Sequence, residues 1–260
     1  MATLNLTLPA SWAELSQQQL DFLLRTIDAV NRANADRKFL SAEDYAAQTA
    51  AQVATRCIFR WSGLRVVTPY ADAWLVARDG REYLVAGNDI AAAAQALSWM
   101  AELPDVPVRI ESIDGATAVD ASLDDTFSFD DWLTCETLWQ VHQTTKDDNP
   151  LRQMAETLYR RPGIRLKPHH LLGIFYWWAG LKAECNRLYP DFFKPAPAAT
   201  SAEPTPDSLR RSMDSQIRAL TKGDITKEQH VLSMPAHRAL TELDALAREY
   251  DELNQKYPKS

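Results

Sequence analysis

The stretch AWLVARDGREYLVA, residues 73–86, decides what kind of fold this chain adopts. Residues 73–77 and 83–86 are apolar and aromatic runs flanking Arg78-Asp79-Gly80-Arg81. Asp-Gly between two such runs is the strongest short-range hairpin signal, because both central residues of the turn need positive φ. The change of character begins at Trp61-Ser62-Gly63, where short runs rich in Val, Leu and aromatics replace a helical period. A second, weaker pair is expected over residues 108–113, turning at Asp114-Gly115. The spacing therefore predicts a small antiparallel β-hairpin region at about residues 64–119 inside an otherwise helical chain. The fold class expected is α+β, predominantly α-helical.

On the N-terminal side, Ser11 with Glu14 and Ser16 with Gln19 are consecutive capping-box patterns, predicting a short turn and then a helix over about 16–31. Leu20, Leu23, Leu24, Ile27 and Val30 recur on it at helical spacing. Ser41 with Asp44 opens a second helix to about residue 59, its apolar face carrying Tyr45, Val53, Cys57 and Ile58. On the C-terminal side of the hairpin, Asn88 is placed to cap a helix over 89–102 that Pro104 and Pro107 end. Beyond Ser128 the chain is helical again, with Trp132, Leu133, Leu138, Trp139 and Val141 along one element. Asn149-Pro150 supplies a cap and a first-turn proline for the next helix, and Pro168 opens another that runs to Tyr189-Pro190.

Residues 195–206, PAPAATSAEPTP, hold four of the chain's 14 prolines, no aromatic residue and one charge. Such a segment buries too little apolar surface to offset ordering, so it reads as an extended linker. The expected organisation is a mainly helical body with a β insertion (1–194), a linker (195–206) and a C-terminal helical module (207–260). In that module Thr205-Pro206 start a helix lined by Leu209, Met213, Ile217 and Leu220, which Gly223 ends. A short helix over 226–233 follows, and Pro235 starts a last one reaching Tyr257. There Ala236, Ala239, Leu243, Leu246, Tyr250, Leu253 and Tyr257 alternate at three and four residues for three heptads. The module is expected as a helical hairpin or coiled-coil element. Leu243, Leu246, Tyr250, Leu253 and Tyr257 are its candidate partner-binding residues, facing either the preceding helix, another protein or a second copy of the chain.

A chain of 260 residues can bury roughly 70 to 75% of its unfolded surface. Its net charge of −7 divides as about −6 on residues 1–194 and −1 on the rest, which excludes the basic field that nucleic-acid binding requires. The longest apolar run, LLGIFYWWAGL at 171–181, is about half a membrane span, so no membrane is expected. The first residues, MATLNLTLPASW, lack the basic and apolar runs of a signal peptide, and Cys57, Cys135 and Cys185 form no paired motif, which together point to the cytoplasm.

Candidate chemistry is sparse. His169-His170 tempts a metal reading, but neighbouring helical residues point about 100° apart and no carboxylate or Cys stands nearby in sequence. His230 and His237 lack the i, i+4 spacing of a helical metal pair. Asp124-Asp125, Asp130-Asp131 and Asp147-Asp148 fall at predicted helix starts, where acids favour the helix dipole. Arg160, Arg161, Arg165 and Lys167 read as a solvated basic face. The 8 glycines are scattered singly, so no phosphate loop exists. The expectation is no catalytic, cofactor or metal residue, with Phe175, Tyr176, Trp177 and Trp178 read as a core helix.

Several strings carry a resemblance: LPASWAELSQQQL at 8–20, CIFRWSGL at 57–64, FYWWAGLK at 175–182, IRALTKGDITKE at 217–228 and HRALTELDALAREYDEL at 237–253. They resemble uncharacterised proteins encoded by phages and prophages of Bacteroidota-type bacteria. The organisation of body, tether and helical tail is similar to that of tail assembly chaperones. The resemblance implies a non-enzymatic role in virion morphogenesis within the host cytoplasm, with tape measure and tail tube proteins as partners. It carries over no site residue. The alternatives are a structural virion component such as a minor tail or connector protein, a host-interaction adaptor acting through the last helix, or an enzyme whose site gathers residues distant in sequence, around His142, His169 or the acid pairs.

Overall fold

A computed structural model describes residues 6–35, 41–120, 122, 125–194 and 205–257. The chain divides into two compact units, one formed by Met1–Pro104 with Pro168–Gly173 and the other by Asp105–Lys167 with Ile174–Ser260. The expected linker lies outside the described residues except for Thr205 and Pro206. The division between units falls elsewhere, and the C-terminal helices belong to the second unit. The chain is predominantly helical with small antiparallel sheets, the α+β class read from the sequence.

In the first unit a short 3-10 turn, Trp12–Glu14, precedes α1, Gln17–Asn34. Ser16 and Gln19 form the full reciprocal capping box, whereas Ser11 makes no side-chain cap and Glu14 accepts from Ala10 N instead (2.8 Å). Leu20, Leu23, Leu24 and Val30 are buried on α1, which packs on α2, Ala42–Trp61, through its buried Val53, Ala54, Cys57 and Ile58. Asn34 Nδ2 donates to Thr49 Oγ1 across the pair (3.2 Å).

The hairpin predicted at residues 73–86 is present as β2, Ala73–Arg78, and β3, Arg81–Ala86, with Arg78 opposite Arg81. Asp79 (φ 52°) and Gly80 (φ 75°) both occupy the left-handed region, as a two-residue primed turn demands. A further strand, β1, Arg65–Pro69, pairs antiparallel with β2 to give the order β1-β2-β3. Val76 and Val85 are buried while Leu84 is exposed, so the sheet has one covered face. Phe59 of α2 meets Trp74 of β2 edge-on at 5.7 Å.

After the sheet, α3 spans Gly87–Gln95 and a 3-10 turn follows at Ser98–Ala101. The helix expected over 89–102 thus begins earlier and breaks. Gly87 N already donates to Asp72 O (2.6 Å), which fixes the start before Asn88 can cap. Trp99 Nε1 donates to Pro9 O, and Trp12 Nε1 to Glu102 O (both 3.2 Å), with the two indoles edge-to-face at 5.2 Å.

In the second unit the weaker pair is real but short: β4, Ser112–Ile113, and β5, Ala116–Thr117, joined by Asp114 (φ 51°) and Gly115 (φ 77°). α4, Phe129–Thr145, starts with a Ser128/Asp131 capping box. α5, Asn149–Leu158, begins one residue before the expected position, with Asp148 as the flanking residue and Pro150 in its first turn. α6, Pro168–Leu188, contributes Trp177 and Trp178, which with Phe127, Phe129 and Trp132 are fully buried. Of the aromatic run expected in the core, Trp177 and Trp178 are buried, while Phe175 and Tyr176 are half-buried.

α7, Pro206–Thr221, starts on a Thr205/Ser208 capping box and ends at Lys222 (φ 55°) and Gly223 (φ 81°). A 3-10 turn at Ile225–Lys227, α8, Glu228–Ser233, and α9, Ala236–Lys256, complete the described chain. α9 packs against both α4 and α7. Among the described residues no helix is long and apolar enough to cross a membrane.

Gly180 lies inside α6, where glycine costs about 0.5–1 kcal/mol relative to alanine. A Cβ there would sit 2.1 Å from Val106 O and 2.6 Å from its carbonyl carbon, so backbone contact forbids any side chain. Gly180→Ala, favourable by helix propensity, is expected to lower unfolding free energy by about 3 kcal/mol, read by urea denaturation.

Candidate functional site

The seam predicted on the last helix is split by its surroundings. Ala236, Ala239, Leu240 and Leu243 are buried in the first half of α9, and Leu246 is half-buried. Tyr250 and Leu253, one and two turns beyond Leu246, and Tyr257, just past the end of the helix, are 61%, 59% and 67% exposed. Of the five candidate partner-binding residues, Leu243 therefore belongs to the core. Three large apolar groups continue its stripe on the surface, at three- and four-residue spacing.

Three interactions fix where this stripe leaves the core. Phe129 N donates to Met234 O and Ala236 N donates to Phe127 O (both 2.8 Å), a two-bond bridge between the start of α4 and the start of α9. Asp244, only 8% exposed, accepts from Asp191 N (2.8 Å) and Phe192 N (3.0 Å) through one carboxylate oxygen. Lys194 reaches both Asp191 and Asp251, and these carboxylates hold its ammonium above the usual lysine range. α9 is thus anchored up to Asp251 on one side while Tyr250, Leu253 and Tyr257 stay in solvent.

Beside the same helices a cleft of about 460 Å³ opens between α4, the end of α6 and α7, lined by Trp132, Phe193, Leu209 and Met213. Its polar floor is Glu136, which accepts from Lys182 Nζ (2.6 Å) and Trp178 Nε1 (3.3 Å). This pairing leaves the cleft near neutral and mixed in polarity.

The remaining candidates are scattered. Asp131 closes the α4 capping box and pairs with Arg160 (2.9 Å), and Asp147 accepts from Asn149 N (3.1 Å), so these acids serve helix starts. Asp124 lies outside the described residues, and Asp125 stands 3.5 Å from His237. His142 Nδ1 bonds Asp147 O (2.7 Å) and its ring packs on Trp139 and Phe175. Burial pushes the Cys57 and Cys185 thiols up to about 12 and raises Cys135 as well, so none is a thiolate at neutral pH.

The basic face is solvated as expected, with the Arg165 side chain 86% exposed, and it is also paired: Arg165 grips Asp114 through Nε and Nη2 (2.7 Å at the closest), Arg161 donates to Asp114 O, and Arg160 donates to Thr126 O (2.7 Å). One expectation is corrected. The carboxylate missing from the sequence neighbourhood of His169-His170 is present, because folding within the first unit brings Asp21 of α1 to them. Ligating atoms of all three residues lie within 4.8 Å of one another. No local signal reports such a meeting, since Asp21 reads in sequence only as a polar position of an amphipathic helix. Comparison with protein-family models, with curated proteins and with solved structures finds no match to this chain.

The Arg165 hydrogen bond, with the charges of Arg165 and Arg161, holds the Asp114 carboxyl below its ordinary range. A carboxyl lowered in the folded state stabilises fully above its unfolded pKa of about 3.9 and loses that contribution as pH falls through the folded value. Asp114→Asn is expected to be less stable than the wild type at neutral pH and to show a shallower loss below about pH 4. Thermal unfolding followed across that range checks both.

Proposed function

We propose that this chain is a non-enzymatic phage morphogenesis factor of the tail assembly chaperone kind, which binds tape measure and tail tube proteins in the host cytoplasm. The observation that supports it most is the split seam of α9. Its first half is buried against α4 and α7, while Tyr250, Leu253 and Tyr257 extend the same stripe into solvent. Exposed leucines are common singly, but Tyr250 and Leu253 on one helix face, with Tyr257 directly after the helix end, form the kind of aromatic anchor that dominates helix-mediated interfaces. Tyrosine suits that role, since it brings a large contact area with little rotamer entropy and a hydroxyl for the wet rim.

The surrounding charges fit a helical partner. Glu249 and Lys256 flank the stripe at its g positions, where interhelical ion pairs set register and partner choice. The strings at 217–228 and 237–253, which carry much of the phage resemblance, lie on α7 to α9, the elements that build and present this face. The proposal is therefore that the second unit rigidly presents a short half-coil, completed by an amphipathic helix of the tape measure or tube protein.

The test uses the full chain and the tape measure and tube proteins encoded beside it. Calorimetric titration should detect binding to one of them, and the combined change Tyr250→Ala, Leu253→Ala, Tyr257→Ala should weaken it by at least about 2 kcal/mol. The thermal midpoint should be nearly unchanged, because exposed side chains contribute little to folding. Absence of binding to both proteins would overturn the proposal. Detection of the chain in purified virions by mass spectrometry would favour a structural component over a chaperone.

A further inference from the structure

Asp21, His169 and His170 form a metal-ligand set that the sequence conceals. Asp21 lies on the second turn of α1, and both histidines occupy the first turn of α6, in the segment Pro168–Gly173 that belongs to the first unit. The two imidazoles are edge-to-face with centroids 4.2 Å apart. Consecutive helical residues diverge by about 100° at the backbone, but imidazole side chains at a helix start can turn back towards one another, and here they do. We propose that these three side chains bind a divalent transition-metal ion of the zinc class.

The geometry carries the proposal. His169 Nε2 stands 3.7 Å from Asp21 Oδ1, beyond hydrogen-bond reach and close to the edge of about 3.4 Å between two ligands of a tetrahedral ion at about 2.0–2.1 Å. One ligand atom from each of the three residues lies within 4.8 Å of the others, so a contraction of at most about 1.4 Å at the widest pair completes the set. Asp21 is already oriented for monodentate use. Its Oδ2 accepts from Arg25 Nε (2.9 Å), which leaves Oδ1 on the histidine side.

The donor chemistry selects the ion. Two imidazoles and one carboxylate suit Zn²⁺, Co²⁺, Ni²⁺ or Fe²⁺, whereas Mg²⁺ and Ca²⁺ prefer oxygen-only sets. Three protein ligands leave at least one coordination position for water. His169 is only 6% exposed, so an ion there is shielded on one side. Asp21 also lines an open cleft of about 590 Å³ with Gln18, Gln19, Arg25 and Arg60, which gives the ion a route of entry. Binding would clamp the first turn of α6 to α1.

The proposal stands apart from the docking reading, since it concerns the other unit. Full-length protein stripped with a chelator is titrated with ZnCl₂ by calorimetry, with MgCl₂ as the parallel run. One Zn²⁺ per chain is expected, with no Mg²⁺ uptake, and the thermal midpoint should rise with Zn²⁺ concentration. Asp21→Asn and His170→Gln should each weaken Zn²⁺ binding about tenfold or more. Because either variant could disturb the helix packing, the wild type supplies a second readout: of the five histidine rings, Zn²⁺ should shift the NMR signals of His169 and His170 and leave His142, His230 and His237 in place. No Zn²⁺ uptake, uptake that both variants leave unchanged, or shifts confined to the other three rings would overturn it.

Discussion

The two backbone hydrogen bonds between Phe127–Phe129 and Met234–Ala236 are the constraint on which the second unit turns. They join segments more than a hundred residues apart in sequence, and they fix the starts of α4 and α9 against each other. With those ends held, Ala236, Ala239, Leu240 and Leu243 fall into the core where α9 packs on α4, and the small residues at 236 and 239 allow close approach. The rest of α9 follows as a rigid rod. Its stripe must run out of core to cover it after about two turns, which is why Tyr250, Leu253 and Tyr257 end in solvent.

Buried polar groups reinforce that arrangement instead of opposing it. Asp244 would be a costly charge at its depth, but two backbone N–H donors from Asp191 and Phe192 satisfy one oxygen and cap the turn after α6. Glu136 is handled in the same way by Lys182 and Trp178. At the opposite end of α5, Asp114 gathers Arg161 and Arg165 and so ties the β4–β5 turn to the chain entering α6. Each of these acids meets its own donors: backbone N–H groups at Asp244, an ammonium and an indole at Glu136, guanidinium groups at Asp114. Two places among the described residues offer chemistry beyond packing, the exposed stripe of α9 and the Asp21–His169–His170 cluster.

Much of the fold was legible because its signals are local. The Asp79-Gly80 turn, the box at Ser16, the cap at Thr205, the stop at Gly223 and the heptad of α9 each depend on residues within a few positions of one another. The β1 strand was less visible, since Val66 and Val67 are exposed and no alternation marks a covered face. The early start of α3 was missed because it rests on Asp72 O, and the requirement for Gly180 because it rests on the Val106 carbonyl. In each case the deciding partner is a backbone atom, which carries no mark in the sequence.

By itself the sequence determined most of the helical segments, the two hairpins and the apolar stripes of the longer helices, because propensity, capping and periodicity act over one or two turns of chain. Only the tertiary structure decided which part of the α9 stripe is core and which is surface, that the C-terminal helices belong with Asp105–Lys167, and that a carboxylate from α1 meets the two histidines of α6. Those outcomes depend on contacts between residues far apart in the chain. Such contacts are set by the packing of whole elements, and the spacing of residues within one element holds no record of what the next will bring against it.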